Sequence, residues 1–260
     1  MVTERRKIRS ISLGGMPEAE EAEDELALDE PLCIFVNGEY HVTLIATPEM
    51  ERELAAGYML TQGVIESVYE ITGVEVEDGN VRVDLAGDVD LRGASVSAMN
   101  LIVTACASSP RAGSTRSEVS VVSSGLRVKA GRLREMMEEL NSRCSVHRRT
   151  RGTHAAMLCG GDGEVLVFAE DVGRHNAVDK VVGSYALGGG DLGVCVLLST
   201  GRQSGEMVQK ACRAGIPVIA SMTVPLVSGV RLAEASGLTL TSLGGGRLRV
   251  YSGPQRITVG

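Results

Sequence analysis

From Lys129 to the C-terminus the chain alternates between helical and strand periodicity, and that alternation is its strongest constraint on fold. Leu133, Met136, Met137 and Leu140 recur at helical spacing. A strand pair is then predicted from Thr153 to Cys159 and from Val165 to Ala169, about the turn Gly160-Gly161-Asp162-Gly163. The pattern continues with a helix from Asn176 to Leu187, a strand from Val194 to Ser199, a helix from Ser204 to Ala214 and a strand from Ile216 to Ser221. A helix from Pro225 to Ala235 and a strand pair around Gly244 to Gly246 close the series. Such alternation implies an α/β domain with a largely parallel sheet and helices on its faces. Ligands of such sheets sit beyond the carboxyl ends of the strands, where helix N-termini offer free N–H groups.

The preceding residues read differently. Leu32 to Val36 and Glu39 to Ile45 flank Asn37-Gly38, a pair that favours a type I′ hairpin. Thr47 is placed to cap a helix with Pro48 at its first position, Met50, Leu54, Tyr58 and Thr61 on one face and Gly63 at its end. Short strands follow from Val64 to Val89, with a turn at Asp78-Gly79-Asn80, and a further strand pattern leads to Cys106. Three parts are therefore expected: a disordered acidic tail over residues 1–30, an α+β module over 31–128 that carries the cysteine loop, and the α/β domain over 129–260. The tail assignment rests on Glu18 to Glu30, where eight acidic residues occur with no basic one.

That run also explains the net charge of −7, since the rest of the chain then sums to about +1. A near-neutral body with no Trp, two Phe and five Tyr lacks both the basic field and the stacking platforms of a nucleic-acid binder. Six scattered cysteines with no Cys-x-x-Cys pair suit a reducing cytoplasm, and no apolar run approaches the length of a signal peptide core or a membrane span. With 260 residues, 43% of them hydrophobic, the chain is long enough to build its core without disulfides.

Cys106 ends the apolar run Leu101-Ile102-Val103-Thr104-Ala105 and opens a polar loop with Ser108, Ser109, Pro110 and Arg111. Exposure and nearby arginines, Arg111 and Arg116, favour thiolate over thiol, which makes Cys106 a candidate nucleophile; a space-filling residue at a strand end is the plainer alternative. Two strand-to-helix loops add charge on the expected ligand edge. Glu170-Asp171-Val172-Gly173-Arg174-His175-Asn176 combines acid, base and imidazole, with Asn176 and Asp179 spaced as a helix cap and its return partner. Ser199-Thr200-Gly201-Arg202-Gln203-Ser204 brings hydroxyls and an arginine to the next helix. Arg174 and Arg202 suit phosphate, His175 a phosphate or base, and Gly173 and Gly201 close backbone approach. Gly244 to Gly246 with Arg247 is either a further wall or a tight hairpin, and Ser221 to Pro225 is a plainer loop. The basic group Arg143, His147, Arg148, Arg149 and Arg151 reads as a solvated loop able to attract anions. His154 is as much a core residue as a ligand contact. Cys33, Cys159, Cys195 and Cys212 read as core. No protein-ligated metal is expected, because a deaminase-type zinc site needs His-x-Glu and Cys-x-x-Cys whereas Ala156 occupies the glutamate position.

Together, Glu170 to Lys180, Ser199 to Lys210, Ala214 to Val218 and the Thr104-Ala105-Cys106 loop resemble the FdhD family of formate dehydrogenase accessory proteins, over about Pro31 to Ile257. The resemblance implies a sulfurtransferase in which Cys106 receives sulfur from a cysteine desulfurase as a persulfide. It further implies delivery to a molybdenum cofactor bearing two guanine dinucleotides, bound as substrate, for use by formate dehydrogenase. A cytidine-deaminase-like three-layer α/β fold without zinc and a homodimer are implied as well. The nucleotide end of the cofactor then falls on Asp171, Gly173, Arg174, His175 and Asn176, on Ser199, Thr200, Gly201, Arg202 and Ser204, and on Ser242, Leu243, Gly244, Gly245, Gly246 and Arg247. Many family members carry a second loop cysteine where this chain has Ser109, so Cys106 acts without a resolving partner. A cofactor-binding insertion chaperone that moves no sulfur is the alternative from another class, and a nucleotide deaminase lacks its ligands.

Overall fold

The computed structural model describes residues 1–14, 18–87 and 120–259. Cys106, Ser109, Arg111, Arg116 and the strand expected to lead to Cys106 lie outside the described residues. The acidic segment expected to be disordered is instead one half of a hairpin. Strands β1 (Thr3–Ser12) and β2 (Glu18–Ala27) pair antiparallel with Arg5 opposite Glu25, Arg6 opposite Asp24, Lys7 opposite Glu23 and Arg9 opposite Glu21. A run of like charge repels itself in isolation, but a strand of opposite sign in register converts that repulsion into cross-strand attraction. Glu25 also meets Arg149 at 2.9 Å, tying the hairpin to the body.

A second sheet has the order β4-β3-β6-β5, from β3 (Glu30–Val36), β4 (Glu39–Ala46), β5 (Ile71–Glu77) and β6 (Asn80–Leu85). Asn37 and Gly38 take positive φ values of 49° and 82°, as the expected type I′ turn requires. Leu32, Ile34, Val36, Val42, Leu44, Val81, Val83 and Leu85 alternate along the strands and bury one face. That face receives helix α1 (Glu51–Gln62), which begins after a left-handed Met50, so Thr47 is not its cap. Gly63, at φ 71°, ends the helix as expected.

The remainder runs β7 (Val128–Lys129), α2 (Ala130–Arg143), α3 (Ser145–Thr150), β8 (His154–Gly160), β9 (Val165–Asp171), α4 (Arg174–Leu187) and β10 (Cys195–Ser199). It continues through α5 (Gly205–Arg213), β11 (Val218–Ser221), α6 (Val227–Ser236), β12 (Thr239–Gly244), β13 (Arg247–Ser252) and β14 (Ile257–Thr258). Six of these strands form a sheet of order β13-β12-β11-β10-β8-β9. It is mixed rather than largely parallel. Only β10, β11 and β12 are parallel neighbours, because a helix separates each pair; β8–β9 and β12–β13 are joined by turns too short for a crossover and so run antiparallel.

Alternate residues of the sheet serve two cores. Ala155, Met157, Cys159, Val196, Leu198, Val218 and Ala220 pack against Leu133, Met136, Met137 and Leu140 of α2. Ala156, Leu158, Leu197, Ile219 and Leu240 face α4, α5 and α6, and that core continues without a break into Leu54 and Met59 of α1 and the second sheet. The two cores place the six-stranded sheet between helical layers. Helices α1 and α4 cross where neither tolerates a side chain: a Cβ on Gly57 would overlap the Asp179 carbonyl, and one on Gly183 the Glu53 carbonyl.

Candidate functional site

Strand direction brings the predicted loops to one edge. The carboxyl ends of β9, β10, β11 and β12 share that edge with the amino end of β8, so His154 stands opposite Asp171 and Ser199, Ser221 and Ser242 lie side by side in register. Four strand spacings separate β9 from β12, about 19 Å.

Asp171 and Asn176 turn inward from this edge. The Asp171 carboxylate is fully buried and accepts from the Thr47 N–H (3.1 Å), the Gly173 N–H (2.7 Å) and Asn176 Nδ2 (3.0 Å), while Lys180 Nζ lies 2.7 Å away. Asn176 donates its second amide hydrogen to the Ile45 carbonyl at 2.8 Å. Both residues shape the loop from within instead of facing a ligand. Gly173, not Asn176, is the N-cap of α4, and Asp179 is no capping partner: it accepts from Thr61 Oγ1 at 2.6 Å and pairs with Lys210 Nζ at 2.8 Å.

The side chains left at the edge come from both loops. Gly201 lies so close beneath Arg174 that a Cβ there would overlap the arginine's Cβ and Cδ, which joins the two turns physically. Among the described residues, the buried side-chain nitrogen and oxygen atoms without a hydrogen-bond partner are Arg174 Nε, His175 Nε2, Gln203 Oε1 and Ser204 Oγ. All four belong to this one place. Leaving such a group buried and unpaired costs about 1–3 kcal/mol, so their concentration sets this place apart from the other described residues. His175 Nε2 stands 3.5 Å from Glu206 Oε2, too far for a strong hydrogen bond. Burial, with the charges of Lys210 and Arg174, pushes the imidazole down to about 3, so it is neutral at pH 7. Burial also lowers His154, helped by Arg174 and Arg202; its Nδ1 lies 3.4 Å from Thr200 Oγ1.

Ser199 and Thr200 hold the second loop. Ser199 Oγ accepts the Gly201 N–H at 3.1 Å, and Thr200 Oγ1 accepts the Ala155 N–H at 3.0 Å. Arg202 is exposed, and Ser204 is the N-cap of α5 but makes no side-chain cap hydrogen bond. The Ser242–Arg247 segment reaches the same edge two strands beyond Ser199, about 10 Å away. Ser242 is buried and within 3.3 Å of the Tyr251 hydroxyl, and Leu243 packs against the α2 core. Gly245 and Gly246, at φ 60° and 71°, form a tight turn between Gly244 and the exposed Arg247. The basic group is largely spent locally: Arg143 pairs with Glu139, Arg149 with Glu25, and Arg148 donates to the Asn141 and Ser142 carbonyls.

The other thiols are poor nucleophiles. Burial pushes Cys144 and Cys195 up to about 11 and Cys159 up to about 12, and raises Cys212 as well. Cys33 is half-buried rather than core, with its sulfur 3.3 Å from Thr43 Oγ1.

Sequence reasoning passed over Thr47, Thr61, Lys180 and Lys210 as working parts. Both lysines are buried against carboxylates; Lys180 sits four residues after Asn176 on α4, and Lys210 lies on α5.

Comparison with known proteins gives these loops a context, since the sequence model of the FdhD/NarQ family matches residues 27–258. The chain belongs to the FdhD/NarQ family. The matched span contains both loops and the whole central sheet and omits nearly all of the N-terminal hairpin. A relative from Mycobacterium tuberculosis, named sulfur carrier protein FdhD, is 37% identical over 98% of this chain and 99% of its own length. One of the same name from Methanothermobacter thermautotrophicus is 35% identical over 90% of this chain and 92% of its own. Among solved structures, a candidate formate dehydrogenase accessory protein from Desulfotalea psychrophila aligns with a TM-score of 0.81 at 27% identity, covering 99% of this chain and all of that one. No helix among the described residues is long and apolar enough to cross a membrane.

Proposed function

We propose that this family member is a sulfurtransferase, a persulfide carrier that serves formate dehydrogenase. The thiolate of Cys106 attacks the outer sulfur of a persulfide on a cysteine desulfurase. The S–S bond breaks, the desulfurase leaves as thiolate, and the outer sulfur is now bonded to Cys106, with no net oxidation or reduction. The sulfur would then pass to a molybdenum cofactor with two guanine dinucleotide tails, bound as substrate: the S–S bond to Cys106 breaks, Cys106 leaves as thiolate, and the reduced metal of that substrate would supply the two electrons that take the sulfur to the sulfide level. Four of the five described thiols are buried with raised pKa values, which supports giving the work to Cys106.

One observation carries the cofactor half of the reading: the buried, unpaired polar atoms of Arg174, His175, Gln203 and Ser204, gathered where Gly201 lets two loops touch. Two helix N-termini, Arg174 and the exposed Arg202 there suit a nucleotide diphosphate, and the Ser242–Arg247 turn extends the same edge for the rest of a long anionic tail. The helical layers on either side of the six-stranded sheet support a deaminase-like origin. A homodimer in the cytoplasm completes the reading.

The test supplies a desulfurase and cysteine labelled in its sulfur. Label should collect on the wild-type chain and not on Cys106→Ser; equal labelling of the two ends the sulfur-carrier reading. Ser109, in place of a second loop cysteine, favours one other reading: a chaperone that inserts the cofactor without moving sulfur. Full formate dehydrogenase activity supported by Cys106→Ala would establish that reading instead.

A further inference from the structure

Thr47 was expected to cap a helix, and its polar groups are committed elsewhere. Its N–H donates to Asp171 Oδ2 at 3.1 Å, its hydroxyl accepts the Val172 N–H at 3.1 Å, and its carbonyl accepts from Lys180 Nζ at 2.9 Å. The residue is 2% exposed and directly follows β4 of the second sheet. Two residues earlier, the Ile45 carbonyl accepts from Asn176 Nδ2 at 2.8 Å. One short piece of the module that continues into the Cys106 segment thus grips the loop that ends in Arg174 and His175.

We propose that Thr47 is a positioning residue for the nucleotide end of the cofactor: with the Asp171–Lys180 pair it fixes residues 171–176 against the 30–85 module, and so aims Arg174 and His175. The proposal rests on the cofactor reading above. The physical argument is one of freedom removed. Arg174 belongs to the first turn of α4, and an arginine binds phosphate through paired donors only when its backbone is held to a fraction of an ångström. Asp171 and Asn176 sit on the loop itself and bond to each other, and each is also tied to a backbone group outside it, Asp171 to the Thr47 N–H and Asn176 to the Ile45 carbonyl. Thr47 supplies three contacts, to Asp171, to the Val172 N–H and to Lys180, from a different layer of the fold, attached to a β-strand rather than to another loop.

A comparable buried hydroxyl provides the control. Thr61 Oγ1 donates to Asp179 at 2.6 Å and accepts from Lys210 Nζ at 3.0 Å, in the packing between α1, α4 and α5 and away from the loop. Thr47→Val and Thr61→Val each remove one buried hydroxyl without changing side-chain volume much.

The experiment measures GDP binding to the full chain by calorimetry, urea unfolding, and desulfurase-dependent labelling of Cys106. Both valine variants should unfold at lower urea than wild type. Only Thr47→Val should weaken GDP binding, by about tenfold, with Thr47→Ser recovering most of the affinity and labelling of Cys106 unchanged. Should Thr47→Val fail to fold, the neutral and nearly isosteric Asp171→Asn with Lys180→Met takes its place, with the same expectation. GDP binding at wild-type strength in the Thr47 variant, or equal weakening in Thr61→Val, would overturn the positioning role. A wild-type chain that does not bind GDP would instead overturn the cofactor reading on which it rests.

Discussion

The first turn of α4 and the turn that follows it carry polar side chains of the same kinds and are treated in opposite ways. Asp179 and Lys180 are buried and fully engaged, one with Lys210 and Thr61 and the other with Asp171 and Thr47. Arg174 and His175, less than two turns earlier, hold buried nitrogen atoms without a hydrogen-bond partner among the described residues, and Gln203 and Ser204 opposite them hold buried oxygen atoms in the same condition. A buried polar group without a partner is costly everywhere, so the contrast separates groups whose partners lie within the fold from groups that the fold leaves unpaired. Motif residues that look equally functional in a string of eleven are thereby divided by their partners.

The sharpest way to break this contrast is Lys210→Met, which leaves the Asp179 carboxylate buried without a counterion and should cost about 3–5 kcal/mol in urea unfolding. Adding Asp179→Asn should recover more than half of that loss; a single-variant cost below about 1 kcal/mol would show that the paired region is not structural after all. On the other side, Arg174→Met should weaken GDP binding about tenfold while leaving stability within about 0.5 kcal/mol. A large drop in stability would place Arg174 with the structural group.

Acid titration sharpens the same division more gently. His175, near 3 in the folded chain and about 6.5 when unfolded, is protonated first in the unfolded state. Its contribution is therefore complete above about pH 6.5 and declines as pH falls from there towards 3. His154 and His41 are lowered by burial and act in the same direction. Unfolding midpoints measured from pH 8 to pH 5 should fall, and His175→Gln should flatten the slope; stability that rises on acidification would contradict the buried neutral imidazole. The smallest effect belongs to the hairpin. Arg149→Met should leave the urea midpoint almost unchanged, because the Arg149–Glu25 pair is partly exposed and screened by solvent.

Much of the fold was legible because its signals are local. The Asn37-Gly38 turn, the Gly63 helix stop and the α2 stripe of Leu133, Met136, Met137 and Leu140 depend on neighbours in the chain, and all three stand as expected. The acidic strand β2 was not legible, since what orders it is a basic strand of matching register. The turns after β8 and β12 were read as joining strand pairs and do so, but the sheet was expected to be largely parallel, since nothing local to β8 shows that it runs antiparallel to β10. At the site, the two charged loops were found on the predicted edge, but Asp171 and Asn176 were read as ligand contacts because a polar residue in a loop carries no label for the direction it faces.

Sequence by itself determined which chemistry this protein has available: an arginine, an imidazole and a glycine in each other's neighbourhood, repeated hydroxyls at strand ends, and one cysteine at the mouth of a polar loop. These are properties of residue type and spacing, which a chain carries unfolded. Tertiary structure alone decided their allegiance. Whether a carboxylate meets Lys180 or a phosphate, and whether a threonine caps its own helix or grips a loop more than 120 residues away, depends on which surfaces exclude water together, and that is settled only when the layers pack.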